Sequence, residues 1–443
     1  MIYTHHEAVW GAILPRVFLP EDLTRVLEIV RLANKRRRNE TINLVASENV
    51  MSRLAEALYL CDFVGRYGGE SEEHIAGADP IRELMRMLEE VFGEMLGAKH
   101  VESRCLSGTM ANTAVLLGLV KHGDTIMSLP TENGGHPSFS PEGMLEALGV
   151  KHEPLPFDAE ELNIDVDATI RLMNEKKPRL IVLGASAYLF PHPVREIAEH
   201  AASLGARVVY DASHVLGLIM GGVWRNPLED GASIMTSSTH KTFPGPQGGI
   251  VLFMDSSDYE SVSRIVYPRL VSNIHPHRIP ATLVTAIEMR VFGNRYASQV
   301  VSNARALAET LVELGFKVLG EEKGFTSSHQ VLVDVEELGG GDKCARMLEE
   351  ANIMVDSFTL PGKKGVKGLR LGTQEMTRVG MREPEMMEIA MLMRKVLIER
   401  RDPGEVKKQV VELRSMFTRV KYGFSLPEEY AEACTLFLGV RRE

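Results

Sequence analysis

Two hydrophobic periods alternate along most of this chain. Residues 21–38 carry Leu23, Val26, Leu27 and Val30 on one stripe at helical spacing, which predicts an amphipathic helix. The same spacing recurs over 81–96, through Ile81, Leu84, Met85, Met87, Leu88 and Val91, and another helix is expected over 110–121. Short apolar runs lie at 125–129, 179–185, 206–210, 233–237 and 249–254, with helical stretches such as 194–203 between several of them. Short apolar strands alternating with helices predict a mostly parallel α/β sheet with both faces covered. After a long helical segment at 281–315 the pattern becomes α+β. Strands are expected at 317–319, 330–335 and 352–356, and helices at 342–351 and 384–400. The expected organisation is an N-terminal arm and helix over 1–50, a large α/β domain over 51–284 and a smaller α+β domain over 285–443.

With 443 residues, 44% of them hydrophobic and 25% charged, the chain is long enough for more than one core and polar enough for a globular protein. Its formal charge is −10, and its one basic cluster (Lys35, Arg36, Arg37, Arg38) closes a predicted helix, where it complements the helix dipole. Nucleic acid is therefore not an expected partner, because such binding rests on neutralising phosphates. Cys61, Cys105, Cys344 and Cys434 are widely separated. They form neither a zinc spacing nor a disulfide framework, and no metal is expected. The first residues lack a signal-peptide pattern and no apolar run reaches the length of a membrane span. A cytoplasmic enzyme without a membrane partner is the expected class.

Candidate chemistry sits in the loops. Ser238-Thr-His-Lys-Thr-Phe-Pro-Gly-Pro-Gln-Gly-Gly249 joins two apolar strands through a loop dense in Gly and Pro, with Lys241 inside it. A lysine that forms imines needs burial to lower its pKa and a rigid loop to aim its nitrogen, although a loop lysine by itself is ordinarily solvated. The strand 206–210 runs into Asp211 of Asp-Ala-Ser-His214, at the sheet edge where α/β enzymes bind ligands. Its carboxylate suits a protonated pyridine nitrogen; capping the next helix is the plainer role. Ser107-Gly108-Thr109 precedes an apolar helix, as an anion site does and as an ordinary cap does. His136 follows Asn133-Gly134-Gly135 and either stacks on a flat ring or decorates a turn. Anion turn, histidine, strand-end aspartate and loop lysine, in that order, are the arrangement of the aminotransferase-like fold of pyridoxal-phosphate enzymes, fold type I. Pyridoxal 5′-phosphate is accordingly the expected cofactor.

Beyond that order, Leu-Val-Ala-Ser-Glu-Asn (44–49), Gly-Gly-His (134–136), Ser-Ala-Tyr (186–188), Asp-Ala-Ser-His-Val-Leu-Gly-Leu (211–218), Thr-His-Lys-Thr (239–242) and Gly-Leu-Arg-Leu-Gly-Thr (368–373) resemble the serine hydroxymethyltransferase family, collinearly from about residue 20 to 400. The resemblance implies that Lys241 binds the cofactor covalently with His240 beside it. It further implies that Asp211 pairs with the pyridine nitrogen, that His136 stacks on the ring, and that His214 and Ser186 lie near the phenolic oxygen. Ser107, Gly108 and Thr109 would hold the phosphate. Arg370, helped by Ser47, would bind the carboxylate of an amino-acid substrate. The implied reaction makes or breaks the Cα–Cβ bond of a β-hydroxy-α-amino acid by retro-aldol chemistry, with tetrahydrofolate as one-carbon acceptor. A homodimer or dimer of dimers is implied as well, with residues 47 and 66–77 crossing to the partner.

The chain departs from the family in the half that would handle the one-carbon unit. The acid/base segment reads Arg-Tyr-Gly-Gly-Glu-Ser-Glu-Glu-His-Ile-Ala-Gly (66–77), about two residues short of the family pattern and without its paired tyrosines. Tyr67 and Glu70 are the best counterparts, with Glu72 and Glu73 as alternatives for the carboxylate. Gln247 stands where the family has an arginine. Asn-Ile-His-Pro-His-Arg-Ile-Pro (273–280) replaces a glycine-rich turn that reaches the partner's cofactor phosphate, which makes His277 and Arg278 candidates for that contact. The loop 360–367 is several residues short. On these grounds the acceptor stays open between tetrahydrofolate and a free aldehyde, as in a threonine-type aldolase or transaldolase; a decarboxylating or deaminating relative is the further alternative.

Overall fold

The structure is a computed structural model that describes residues 20–68 and 76–428. Seven strands form the main sheet: β1 (His100–Glu102), β2 (Thr125–Ser128), β3 (Lys151–Pro154), β4 (Leu180–Leu183), β5 (Arg207–Asp211), β6 (Ile234–Ser238) and β7 (Gly249–Phe253). Their spatial order is β1-β7-β6-β5-β4-β2-β3. All neighbours are parallel except at β7, which runs antiparallel to both β6 and β1. Strands β4, β6 and β7 are buried along their whole length, as a sheet covered on both faces requires; β4 and β7 are apolar runs, while β6 buries Thr236, Ser237 and Ser238 as well. Sequence periodicity missed β1 and β3. Each is short and carries polar residues at an end or throughout, so neither stands out as an apolar run.

Helix Asp79–Leu96 covers one face with Ile81, Met85, Leu88, Val91 and Phe92 and ends at Gly97, whose φ of 68° stops the helix. Met87, assigned to the same stripe by sequence, lies off its phase and is 43% exposed. The 36-residue helix Arg278–Glu313 spans two apolar clusters. Its first half, through Val300, packs with the main sheet, and Ala304, Leu307, Ala308 and Leu311 join a second cluster. That second cluster surrounds β8 (Lys317–Val318), β9 (Gln330–Asp334), β10 (Asp356–Thr359) and β11 (Lys367–Gly372), an antiparallel sheet in the order β8-β9-β11-β10. Strand β11 was missed because its glycines break the alternation. Ile42 and Leu44 of the N-terminal arm also belong to this cluster, where Ile42–Asn43 pairs in parallel with Ile353–Met354.

The predicted helix at 21–38 forms as Glu21–Lys35, but it buries none of its side chains; Leu23, Val26, Leu27 and Val30 are 42–55% exposed. No helix among the described residues is long and apolar enough to cross a membrane, and no group of three His, Cys, Asp or Glu there is placed to hold a metal ion.

One buried ion pair ties the C-terminal segment to the long helix. Arg378 donates to Glu288 Oε2 at 2.7 Å and to the Tyr422 carbonyl at 2.5 Å, while the Phe424 amide donates to Glu288 Oε1 at 3.0 Å. Both charged side chains are fully buried. Removing one partner of such a pair leaves the other charge buried and alone, which costs about 3–5 kcal/mol. Arg378→Met should lower stability by about that amount, read from the urea midpoint of the cofactor-free protein. Adding Glu288→Leu to it should recover most of the loss, because a well-packed apolar pair roughly replaces a buried ion pair.

Candidate active site

The carboxyl edge of the parallel sheet gathers the loops that hold most of the candidate residues. Ser107 follows β1, His136 follows β2, Ser186 follows β4, Asp211 ends β5 and Lys241 follows β6. Because β7 reverses direction, the lysine loop returns along the same edge instead of crossing the sheet.

Lys241 is partly buried and makes no ion pair among the described residues. Loss of water lowers its pKa to about 8; Asp211 and Asp356 pull it up, and Arg370 pushes it down. Its backbone carbonyl accepts a 2.6 Å hydrogen bond from Asn49 Nδ2, which also donates to Tyr296 Oη at 2.9 Å. Asp211 is buried. Oδ1 accepts from the Ser213 amide at 2.9 Å, as a turn cap does, while Oδ2 accepts from Asn112 Nδ2 at 2.8 Å. Asn112 also donates to Ser138 Oγ at 2.9 Å, and Ser138 Oγ lies 2.7 Å from His136 Nδ1. The Ser138 amide donates to that same nitrogen at 3.2 Å, so His136 Nδ1 is an acceptor and the ring proton sits on Nε2. Burial lowers the pKa of His136 and keeps it neutral. The turn before it needs its glycines: Gly134 has φ 89° and a Cβ there would lie 2.4 Å from the Ala187 carbonyl oxygen, while one on Gly135 would lie 1.9 Å from the Leu129 oxygen.

Ser107 caps helix Gly108–Leu119, its Oγ accepting from the Met110 amide at 3.1 Å. The amides of Gly108 and Thr109 open the helix, where backbone N–H groups have no carbonyl one turn back. A Cβ on Gly108 would sit 3.1 Å from Ser238, so this turn is pressed against the end of β6. His214 and His240 are neutral, since burial holds His214 well below its usual pKa and His240 at about 4. Arg370 lies on β11, directly across from Asp356 on β10. Its Nη2 donates to Asp356 Oδ2 at 2.7 Å, its Nη1 donates to the Ser186 carbonyl at 2.5 Å, and the guanidinium covers the Phe358 ring at 4.4 Å.

Other candidates lie further out. The neighbours of Ser47 are held by their own chain. The Ala46 carbonyl contacts His329 Nε2 at 3.1 Å, Gln374 Nε2 donates to the carbonyls of Val45 and Glu48 at 2.9 and 2.7 Å, and Asn49 holds the Lys241 loop. Tyr67 is 60% exposed and lines a cavity of about 340 Å³ with Asp62, Phe63, Arg66 and Ile81, which includes none of the residues around Lys241. Glu70, Glu72 and Glu73 lie outside the described residues. Arg278 is buried and donates to the carbonyls of Ile274 at 3.0 Å and Ser103 at 2.6 Å. His277 meets the Tyr59 ring edge-on at 4.7 Å. Gln247 is exposed. The short 360–367 loop closes on the turn before His136, the Gly362 amide donating to Asn133 Oδ1 at 3.2 Å.

The family model described as serine hydroxymethyltransferase matches residues 20–393. The chain belongs to the serine hydroxymethyltransferase family. The serine hydroxymethyltransferase of Saccharolobus islandicus is 50% identical over 412 residues, 91% of this chain and 95% of that protein. The Sulfolobus acidocaldarius enzyme is 49% identical over 414 residues, 92% of this chain and 96% of its own length. Among solved structures, L-threonine transaldolase from Pseudomonas fluorescens superposes with a TM-score of 0.88 at 31% identity, covering 94% of this chain and 97% of that one. The fold is that of the type I pyridoxal-phosphate enzymes, and the chain is an enzyme of that class. Its residues fit the cofactor. Asn112 Oδ1, Ser238 Oγ and His240 Nδ1 are buried around this edge without a partner among the described residues, and the helix-opening turn is shaped for an anion.

A pKa near 8 makes a chemical prediction. In the cofactor-free protein, aldehyde labelling of Lys241 trapped by borohydride should be half-maximal near pH 8, against about 10.4 for an ordinary lysine. Asp211→Asn removes a charge that favours the ammonium, so the midpoint should move lower still. Peptide mass spectrometry across pH would show it.

Proposed function

We propose that this enzyme makes and breaks the Cα–Cβ bond of a β-hydroxy-α-amino acid, interconverting serine and glycine with tetrahydrofolate as the one-carbon acceptor. One observation carries the reading: a partly buried lysine amine without an ion pair lies within reach of the charges of Asp211 and Arg370 at the carboxyl edge of a type I fold. Pyridoxal phosphate, when bound, supplies an electron sink for the pair released at Cα.

Lys241 Nζ would hold that cofactor, and Ser107, Gly108 and Thr109 its phosphate. Asp211, oriented by Asn112 and the Ser213 amide, keeps a proton on the pyridine nitrogen. His136 would lie against the ring, and His214, Ser186 and His240 would serve its edge. Arg370, with Ser47, takes the substrate carboxylate. Tyr67 and Glu70, with Glu72 and Glu73 as alternatives, move the proton of the substrate hydroxyl. His277 and Arg278 are assigned to the partner's cofactor phosphate within a homodimer or dimer of dimers. The dimer reading is supported by the exposed apolar face of helix Glu21–Lys35. Cytoplasmic location is supported by the free thiols of Cys61, Cys105 and Cys344, which fit a reducing compartment. The division into parts 1–50, 51–284 and 285–443 belongs to the same reading, supported by the two apolar clusters, with the long helix shared between them.

A second reading, aldol exchange with a free aldehyde as acceptor, is favoured by the short 360–367 loop and by the likeness to a threonine transaldolase. Calorimetry separates the two. Binding of tetrahydropteroylglutamate alongside glycine is expected, and absence of heat with glycine binding intact would rule out the folate-dependent reaction. Arg370→Ala should raise the KM for serine by roughly a hundredfold with a smaller effect on kcat, the cost of leaving a buried carboxylate without its charged partner. Lysine at this position should recover little, because a point charge does not replace a bidentate fork.

A further inference from the structure

His214 has two ring nitrogens, and which of them carries the proton decides what the ring offers the cofactor. The answer lies on the small sheet. Gln330, fully buried at the start of β9, reaches across with its side-chain amide. Its Oε1 accepts from the Tyr188 amide at 3.1 Å, and its Nε2 donates to the Ser186 carbonyl at 3.1 Å. Both partners are backbone groups with fixed polarity. Flipping the amide would set NH2 against the Tyr188 N–H and oxygen against the Ser186 oxygen, so only one orientation is allowed. The second N–H of Gln330 therefore points at His214 Nδ1, 3.1 Å away.

An amide nitrogen donates and does not accept. His214 Nδ1 must consequently be the bare, accepting nitrogen, with the proton on Nε2. His329 does not compete for this nitrogen. Its Nε2 lies 3.1 Å from the Ala46 carbonyl, which can only accept, so its single N–H serves that carbonyl and leaves Gln330 as the donor to His214 Nδ1, from which His329 Nε2 is 3.4 Å away. Burial puts the His329 pKa at about 3, so it too stays neutral. The charges of Lys241 and Arg370 also reach His214 and further oppose its protonation.

We propose that Gln330 is a positioning residue that locks His214 as the neutral Nε2–H tautomer, making it a hydrogen-bond donor to the phenolic oxygen of the cofactor. The proposal rests on the assignment of His214 to that oxygen. It adds that the small sheet, through one amide, fixes the sign of this contact. The Ser186 carbonyl that receives Gln330 also receives Arg370 Nη1, so the substrate-carboxylate arginine and the tautomer of His214 are set from the same point.

The experiment uses the full-length, cofactor-free chain with 15N-histidine, His214 being identified by the signal lost in His214→Gln. Two-bond proton–nitrogen correlations should show the Nε2–H pattern for the wild type from pH 6 to 8. Gln330→Glu presents an ionised acceptor in place of a donor and should convert the ring to Nδ1–H or to imidazolium. Gln330→Leu, which carries no buried charge, should yield a mixture of tautomers and serves if the glutamate variant folds poorly. A wild-type ring with its proton on Nδ1, or an unchanged tautomer in both folded variants, overturns the proposal. In the loaded enzyme, the pH midpoint of the cofactor absorbance band should move by about one unit in either variant, the size of one hydrogen bond to a charged group. A changed tautomer with an unmoved band upholds the hold of Gln330 on His214 and overturns the assignment of His214 to the cofactor.

Discussion

The backbone of Ser186 is the junction on which the site depends. Its N–H donates to the Gly134 carbonyl at 2.6 Å and so fixes the turn that carries His136. Its carbonyl receives Arg370 and Gln330 from two strands of the small sheet. Loop, large sheet and small sheet are thus pinned at one residue's backbone, which no substitution at 186 other than proline removes. The glycines beside it follow from the same crowding. Gly134 sits so close to Ala187 that only a residue without Cβ leaves room for the contact.

Around that junction the chain solves an electrostatic problem. The site must keep an amine poorly hydrated, near an aspartate and an arginine, without letting further charge accumulate. Its four nearest imidazoles, His136, His214, His240 and His329, are all shifted toward the neutral form by burial. The formal charges left are those of Lys241, Asp211, Arg370 and Asp356. Asp211 is held by N–H donors and Asp356 by the guanidinium. The lysine amine is the one member of the set with neither an ion pair nor a side-chain hydrogen bond among the described residues, which leaves it free to react.

How much of this was legible follows from distance along the chain. Lys241, Asp211, His136 and Ser107 each occur in a short local motif, and a strand-end or helix-start position announced them. Asn112 is only one turn past Gly108, yet nothing local distinguishes it from a helix-surface amide; its partner, Asp211, is 99 residues away. Gln330 is 116 residues from His214 and opens an apolar strand, where a polar residue reads as noise in the pattern. Asp356 needs strand register to be seen opposite Arg370. The exposed stripe of helix Glu21–Lys35 shows the converse: periodicity reports an apolar face, and says nothing about which surface covers it.

In the role proposed for Arg370, its pair with Asp356 bears on how the substrate enters. An incoming carboxylate would meet a guanidinium already engaged on two sides, by Asp356 and by the Ser186 carbonyl, with a third side on Phe358. The affinity gained is therefore a difference between two ion pairs, not the worth of one. Such an exchange keeps the arginine aligned and neutralised in the empty site, so little side-chain entropy is lost on binding. It also limits affinity, because the carboxylate must share or displace a partner fixed by strand pairing. An enzyme that must release an amino-acid product as readily as it takes up a substrate of the same class gains from that balance. Register between β10 and β11, far from any motif, is what sets it.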